Sequence, residues 1–251
     1  MPLQALFWDV DGTLAETERD GHRPAFNAAF AEAGVPWHWD EATYRQLLRV
    51  AGGRERMRAW ASQQPSPPQA FLADGTSFLE GLQRLKQQHY RQRLAAGLIQ
   101  PRPGVLRLMG EAHERGLRQW IVTTSGRDAV EALLSTSLWQ AAHWLEQWVC
   151  GEDVARKKPD PEAYRQALRR SGLANGSVVA LEDSRNGWCA ARRAHLRCLV
   201  TLSSSSWDDD RSGITPLWDG LGEPQQPARQ LRGGAAALPM VTLSYLEGLP
   251  D

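Results

Sequence analysis

The 251-residue chain is poor in cysteine: Cys150, Cys189 and Cys198 are its three, and no two of them form a CxxC pair. An odd count without metal spacing excludes a disulfide framework and a thiolate zinc site, and suits reduced thiols in the cytosol. No apolar run is long enough to cross a bilayer. The N-terminus lacks a basic region followed by an apolar stretch, and a strand-like segment at 3–10 begins almost at once, so no signal peptide is expected. Net charge is lacking too. The 29 basic and 29 acidic residues cancel, which removes any general attraction to nucleic acid or to an anionic membrane. There is no internal repeat. The expectation is a cytoplasmic protein (stromal, if a plastid-targeted mature form) with neither nucleic acid nor membrane as a partner.

With 42% hydrophobic and 23% charged residues, the chain has an ordinary globular composition, long enough for one large domain or for a main domain with an insertion. Short apolar runs at 3–10, 119–123, 146–150, 178–181 and 196–202 alternate with helical patterns at 105–114, 129–134, 162–170 and 187–194. That alternation predicts an α/β fold with a doubly wound, Rossmann-like parallel sheet. Pro103-Gly104, Gly116 and Gly172 supply helix boundaries. The stretch from 17 to 100 shows no strand, only helical pattern. Asp40 is placed to cap one helix, and Ser77 with Glu80 forms a capping box for another. The division predicted is therefore a core of 1–16 and 101–251 with an inserted helical cap at 17–100. After Ser203 the chain reads mostly as loop, with a late strand at 241–245. The 11 tryptophans read as packing residues.

Four segments carry chemistry. Asp9 and Asp11 sit two apart at the exit of the first strand, followed by a glycine that permits a sharp turn, in the pattern DxDGTL. One such carboxylate can attack phosphorus while the other serves as general acid and then base. Thr123-Thr124-Ser125 ends another strand with hydroxyls able to bind phosphate oxygens. Lys158, before Pro159, can neutralise a phosphate or an acidic cluster. Glu182-Asp183 ends a further strand with hard oxygens that suit magnesium. Each segment alone also fits a plain polar turn, a helix cap or a solvated loop. Together they sit at the edge where doubly wound sheets bind ligands, and they supply a complete phosphoryl-transfer inventory.

In this order, Asp9–Leu14, Thr123, Lys158 and Glu182-Asp183 resemble the motifs of the haloacid dehalogenase superfamily, over roughly residues 3–202. The resemblance implies Asp9 as nucleophile, Asp11 as acid/base, and Thr123 and Lys158 as phosphate ligands. It implies Mg2+ held by Asp9, Asp183 and the backbone carbonyl of Asp11, with Glu182 close by. Asp11 argues against a dehalogenase or a phosphonate hydrolase. Within the superfamily, the strings at 11–18, 48–56 and 219–224 are similar to the CbbY-like group, which implies a phosphatase acting on a phosphorylated sugar, xylulose 1,5-bisphosphate first. Glu16 in the first string, with Thr124 and Ser125, is a candidate substrate contact. The segment Arg19-Asp20-Gly21-His22-Arg23 is one residue longer than the group's acidic-His-Arg pattern, so the resemblance assigns no substrate role to His22.

Between 45 and 58 there are five arginines, Arg45, Arg49, Arg54, Arg56 and Arg58, against a single acid, Glu55. Gly52-Gly53 would let backbone approach a ligand, so Gly53, Arg54 and Arg56 are candidate contacts for a second phosphate, with a solvated helix face as the alternative. A phosphomutase similar to β-phosphoglucomutase shares every core motif. A catalytically silent sugar-phosphate-binding protein would be marked by loss of Asp9 or Asp11, and both are present.

Overall fold

Four consecutive buried residues, Ala-Leu-Phe-Trp, form strand β1 (Ala5–Trp8). β1 pairs in parallel with β2 (Arg118–Val122) on one side and β4 (Val178–Glu182) on the other. A strand buried on both faces has no polar alternation, which is why these segments read as continuous apolar runs. β3 (Gln147–Val149) and β5 (Arg197–Thr201) extend the sheet outward, and two short strands, β6 (Leu217–Trp218) and β7 (Gln230–Arg232), complete the order β3-β2-β1-β4-β5-β6-β7. Every pairing is parallel except β6 with β7. The computed structural model describes residues 1–207, 210–233 and 239–250; the parts of the Ser/Gly/Pro-rich tail at 208–209, 234–238 and 251 lie outside them.

The chain divides into two compact units, residues 1–16 with 100–251, and Thr17–Ile99. In the first, the connecting helices lie where the pattern predicts them: α6 (Val105–Glu114), α7 (Arg127–Leu134), α8 (Glu162–Ser171) and α9 (Arg185–Arg193). Gly104 enters α6 with φ +85°, and Gly172 closes α8 in the left-handed region, a conformation that glycine adopts without penalty. The tail differs from expectation. Residues 241–245 do not form a strand: Thr242 caps α10 (Leu243–Glu247) by accepting from Tyr245 N, and Leu243 and Leu246 bury one face. The i, i+3 spacing of those leucines outweighs the short β-branched run before them. β6 and β7, at two and three residues, are too short to show a period.

The unit Thr17–Ile99 is helical. It contains a five-residue π-helix (Glu18–His22), then α1 (Arg23–Glu32), α2 (Glu41–Leu47), α3 (Gly53–Gln63), α4 (Gln69–Ala73) and α5 (Gly75–Ala95). The π-helix shows in the backbone, where Arg23 N donates to Glu18 O, five residues back. Asp40 caps α2 by accepting from Thr43 N at 2.7 Å. α5 is capped by Asp74, not by Ser77. The Asp74 carboxylate accepts from Thr76 N and Ser77 N, and Ser77 Oγ itself donates to Asp74, so the expected cap residue lies inside the first turn. Phe26, Phe30, Trp37, Trp39 and Tyr44, with Met57, form this unit's own largely aromatic core. Among the described residues, no helix is long and apolar enough to cross a membrane.

One buried polar contact fixes the central strands. Gln119 on β2 accepts from Trp8 Nε1 at 3.1 Å and donates to Met109 O at 2.9 Å. Gln119→Met keeps the volume, removes both contacts and leaves the buried Trp8 Nε1 without this acceptor, so it should lower unfolding free energy by roughly 1–3 kcal/mol. Urea denaturation measures this; an unchanged midpoint would contradict the role given to Gln119.

Candidate active site

The chain runs from β1 to β2 and β3 on one side, then crosses back to β4 on the other. In such sheets the crevice opens at the carboxyl ends of the strands beside that reversal. Asp9 follows β1 and donates its N–H to Leu181 O at 3.0 Å; Thr123 follows β2 and donates to Val149 O at 2.9 Å; Glu182 and Asp183 finish β4. Strand register alone thus delivers three of the four motif segments to one edge.

Beyond Asp9 the backbone turns at Gly12, φ +81°, where a Cβ would stand 2.2 Å from Asp183 Oδ2. Only glycine lets the loop after β1 lie this close to the carboxylate that follows β4. Lys158 is buried and reaches three oxygens: Asp9 Oδ1 at 2.6 Å, Glu182 Oε1 at 2.6 Å and Val122 O at 2.8 Å. Thr13 Oγ1 donates to the other Asp9 oxygen at 3.3 Å. Ser125 Oγ donates to Asp11 in a short hydrogen bond, and Ser125 N donates to Thr123 Oγ1 at 3.1 Å. The carbonyl of Thr124 lies 2.5 Å from where a side chain on Gly151 would begin, which ties the loops after β2 and β3 together. Glu16 accepts from Ser204 N and Ser204 Oγ and lies 3.4 Å from Arg102 Nε.

Asp9, Asp11, Thr123, Lys158, Glu182 and Asp183 therefore share one edge of the sheet. Gly53, Arg54 and Arg56 belong to the helical unit. There Gly53 opens α3 behind Gly52, whose φ is +98°. Arg54 is exposed and 3.7 Å from Glu80. Arg56 is buried, donating from Nε to Leu47 O at 3.1 Å and from Nη1 to Tyr44 Oη at 2.9 Å. Tyr44 in turn donates to Glu18 at 2.5 Å. Several contributors escaped the sequence reading. Tyr164 on α8 donates its phenol to Glu182, Ser203 donates to Asp183 Oδ2 at 2.6 Å, and Gly187 leaves room for Glu182, whose Oε2 would be 1.8 Å from a Cβ there. Ser203 lies beyond the motifs and carries no pattern of its own; Gly187 stands in the small-residue segment after Glu182-Asp183 and Tyr164 in a helical pattern, neither of which marks a role.

Residues 3–195 match the family model of haloacid dehalogenase-like hydrolases. The chain belongs to that family. It is 42% identical over 238 residues to the plasmid-encoded protein CbbY of Cupriavidus necator, covering 93% of this chain and 92% of that one. The crystal structure of CbbY from Rhodobacter sphaeroides in complex with phosphate is 39% identical, with a TM-score of 0.79 over 87% of this chain and 94% of that one. A mutant of that protein, crystallised with xylulose-(1,5)bisphosphate, matches at 38% identity with the same TM-score and coverage.

The charges of this hydrolase explain what its edge can hold. Burial works to lower the pKa of Lys158, but Asp9 and Glu182 outweigh it and hold the ammonium above the ordinary lysine range. Asp9 is pushed well above the ordinary carboxylate range by burial; Lys158 opposes this, while Glu182, Asp183 and Asp11 reinforce it. One lysine is not enough for so many acids. Carboxylate oxygens of Asp9, Glu182 and Asp183, all buried, lie within 4.8 Å of one another, and Glu182 Oε2 is buried without a hydrogen-bond partner. A compact, all-oxygen donor set with surplus negative charge fits a hard divalent cation such as magnesium.

The same imbalance predicts a pH signature in chelator. A carboxyl whose folded pKa exceeds its unfolded value opposes folding once ionised; that penalty fades as pH falls through the folded pKa and is absent below the ordinary value of 3.8. Asp9→Asn removes the charge and keeps the shape. At neutral pH the variant should melt above the wild type, and the gap should close on acidification. Thermal unfolding across pH tests this; a less stable variant, or a gap independent of pH, would contradict it.

Proposed function

We propose that this hydrolase is a magnesium-dependent sugar-phosphate phosphatase that removes one phosphate from xylulose 1,5-bisphosphate through a phospho-aspartate on Asp9. It is a phosphoric monoester hydrolase, and phosphoryl transfer asks a protein mainly for positioning and for charge stabilisation. The observation that carries the reading is the grip of Lys158 on Asp9 Oδ1, Glu182 Oε1 and Val122 O, which fixes a buried carboxylate at the end of β1. The bisphosphate is suggested by the ligand of the 38% identical Rhodobacter sphaeroides mutant.

In this reading an Asp9 oxygen forms a bond to phosphorus as the bond to the sugar oxygen breaks, and Asp11 gives that oxygen its proton. Asp11 then takes a proton from water, whose oxygen attacks phosphorus and frees Asp9. The hydrogen bond from Ser125 Oγ orients Asp11 for both transfers. Thr123, with the neighbouring Thr124 and Ser125, and Lys158 hold the non-bridging oxygens of the phosphoryl group. Asp9, Asp183 and the backbone carbonyl of Asp11 would hold Mg2+, with Glu182 beside it; bound there, the ion supplies charge neutralisation. Glu16, Gly53, Arg54 and Arg56 complete the proposed substrate contacts. Arg54 offers an exposed guanidinium, and Arg56 supports the Gly52-Gly53 turn through Leu47 and Tyr44.

Phosphate release over a panel of sugar mono- and bisphosphates tests the proposal. Xylulose 1,5-bisphosphate should be hydrolysed with a higher kcat/KM than its monophosphates, because binding energy from the second phosphate is spent on aligning the first. A charge-assisted contact is worth roughly 1.5–3 kcal/mol, so Arg54→Ala should cut that preference by about tenfold or more. Chelator should abolish turnover and magnesium restore it. Equal efficiency on both phosphate classes would refute the bisphosphate assignment, and full activity in chelator would refute the metal.

A further inference from the structure

Arg102 lies outside all four motif segments, just before α6, and its side chain is only 9% exposed. Nη1 donates to the Gly12 carbonyl, to Thr201 O at 3.1 Å and to Thr201 Oγ1 at 3.3 Å; Nη2 donates to Leu202 O at 2.6 Å. Nε lies 3.4 Å from Glu16 Oε1, and the Arg102 backbone N–H donates to Leu14 O at 2.8 Å. These acceptors fall into two segments. Gly12, Leu14 and Glu16 follow β1, whereas Thr201 and Leu202 close β5. The two strands are not neighbours: β4 runs between them and ends in Glu182-Asp183.

One planar fork therefore spans the end of β4 and ties the segments on either side of it. Glu16 adds a second tie between the same segments, through Ser204 N and Ser204 Oγ. Asp183 sits inside this frame. Its Oδ2 accepts from Ser203 Oγ at 2.6 Å, on the β5 side, and faces the bare backbone of Gly12, 2.2 Å from where a Cβ would stand. Ser203 is itself held, with its N–H donating to Ser206 Oγ at 3.0 Å.

We infer that Arg102 is a positioning residue of the cation site: by joining segment 12–16 to segment 201–204 it fixes the Asp183 carboxylate and the backbone beside Asp11 in a single arrangement. Partners that orient ligating groups are ordered in the fold, so a cation does not have to order them on binding. Only guanidinium offers donors in the fork that reaches both segments; an ammonium is a point charge. Another arginine shows what a purely structural version of this contact looks like. Arg107 donates to Leu221 O, Gly222 O and Val241 O, tying the tail to α6, and its carboxylate partner is Glu111 on the same helix, away from the cation site.

The inference rests on the magnesium reading above, and calorimetric titration of magnesium into the metal-free protein separates the two. Wild type should bind the ion. Arg102→Lys should weaken binding by about tenfold to a hundredfold, the range for loss of a partner that orients a ligand. Ser203→Ala, a smaller change that decides the matter if Arg102→Lys does not fold, should weaken it in the same direction. Arg107→Lys should lower Tm and leave the dissociation constant unchanged. Absence of binding to wild type would overturn the magnesium reading itself. With wild-type binding intact, a folded Arg102→Lys protein that binds as tightly as wild type would overturn the role of Arg102. So would Arg107→Lys weakening magnesium as much as Arg102→Lys does.

Discussion

Three carboxylates and one lysine, all buried, are the constraint around which the core unit is arranged. Charged groups leave water only when partners compensate them. Here Lys158 serves Asp9 and Glu182 together, Tyr164 serves Glu182, and Ser203 serves Asp183. The backbone makes way for this: side chains at Gly12 or Gly187 would overlap carboxylate oxygens. Even so, burial, with the neighbouring carboxylates adding to it and Lys158 opposing it, makes Asp9 hold its proton more tightly than an ordinary carboxyl. A cation between these carboxylates would relieve the crowding that, together with burial, makes an ionised Asp9 costly to the metal-free fold.

The parallel sheet and the identity of its edge were legible because strands buried on both faces leave unbroken apolar runs, each ending in a polar motif. β1, β2 and β4 could be read for that reason, and with them Asp9, Thr123 and Glu182-Asp183. Lys158 was legible through its place before Pro159. Illegible were contacts that depend on chain segments meeting across the fold. Nothing in the local sequence around Arg102 or Ser203 announces the carbonyls and the carboxylate that they meet on other segments of the fold. The tail failed for another cause: β6 and β7 are shorter than the period that would reveal them, and Thr242 converts a β-branched run into a helix start.

The helical unit shows how locally ambiguous signals resolve. Asp40 and Asp74 both cap helices, but only the first stood directly before an apolar pattern; Asp74 was hidden by the Ser77–Glu80 spacing one turn later. The arginine-rich stretch likewise separates into two kinds of residue. Arg54 faces solvent with Glu80, while Arg56 is drawn inward by Tyr44 and the Leu47 carbonyl. Count and spacing of like charges do not distinguish these, because burial of a guanidinium depends on acceptors that the turn at Gly52 brings within reach.

Covalent transfer to Asp9 is the central claim, and acid-quench mass spectrometry during turnover addresses it most directly. The account predicts that the peptide containing Asp9 gains the mass of one phosphoryl group, that hydroxylamine removes it as expected of an acyl phosphate, and that the gain is absent in Asp9→Asn. Steady turnover with no phosphorylated peptide under conditions that trap such adducts, or a phosphoryl group carried by another residue, would contradict it.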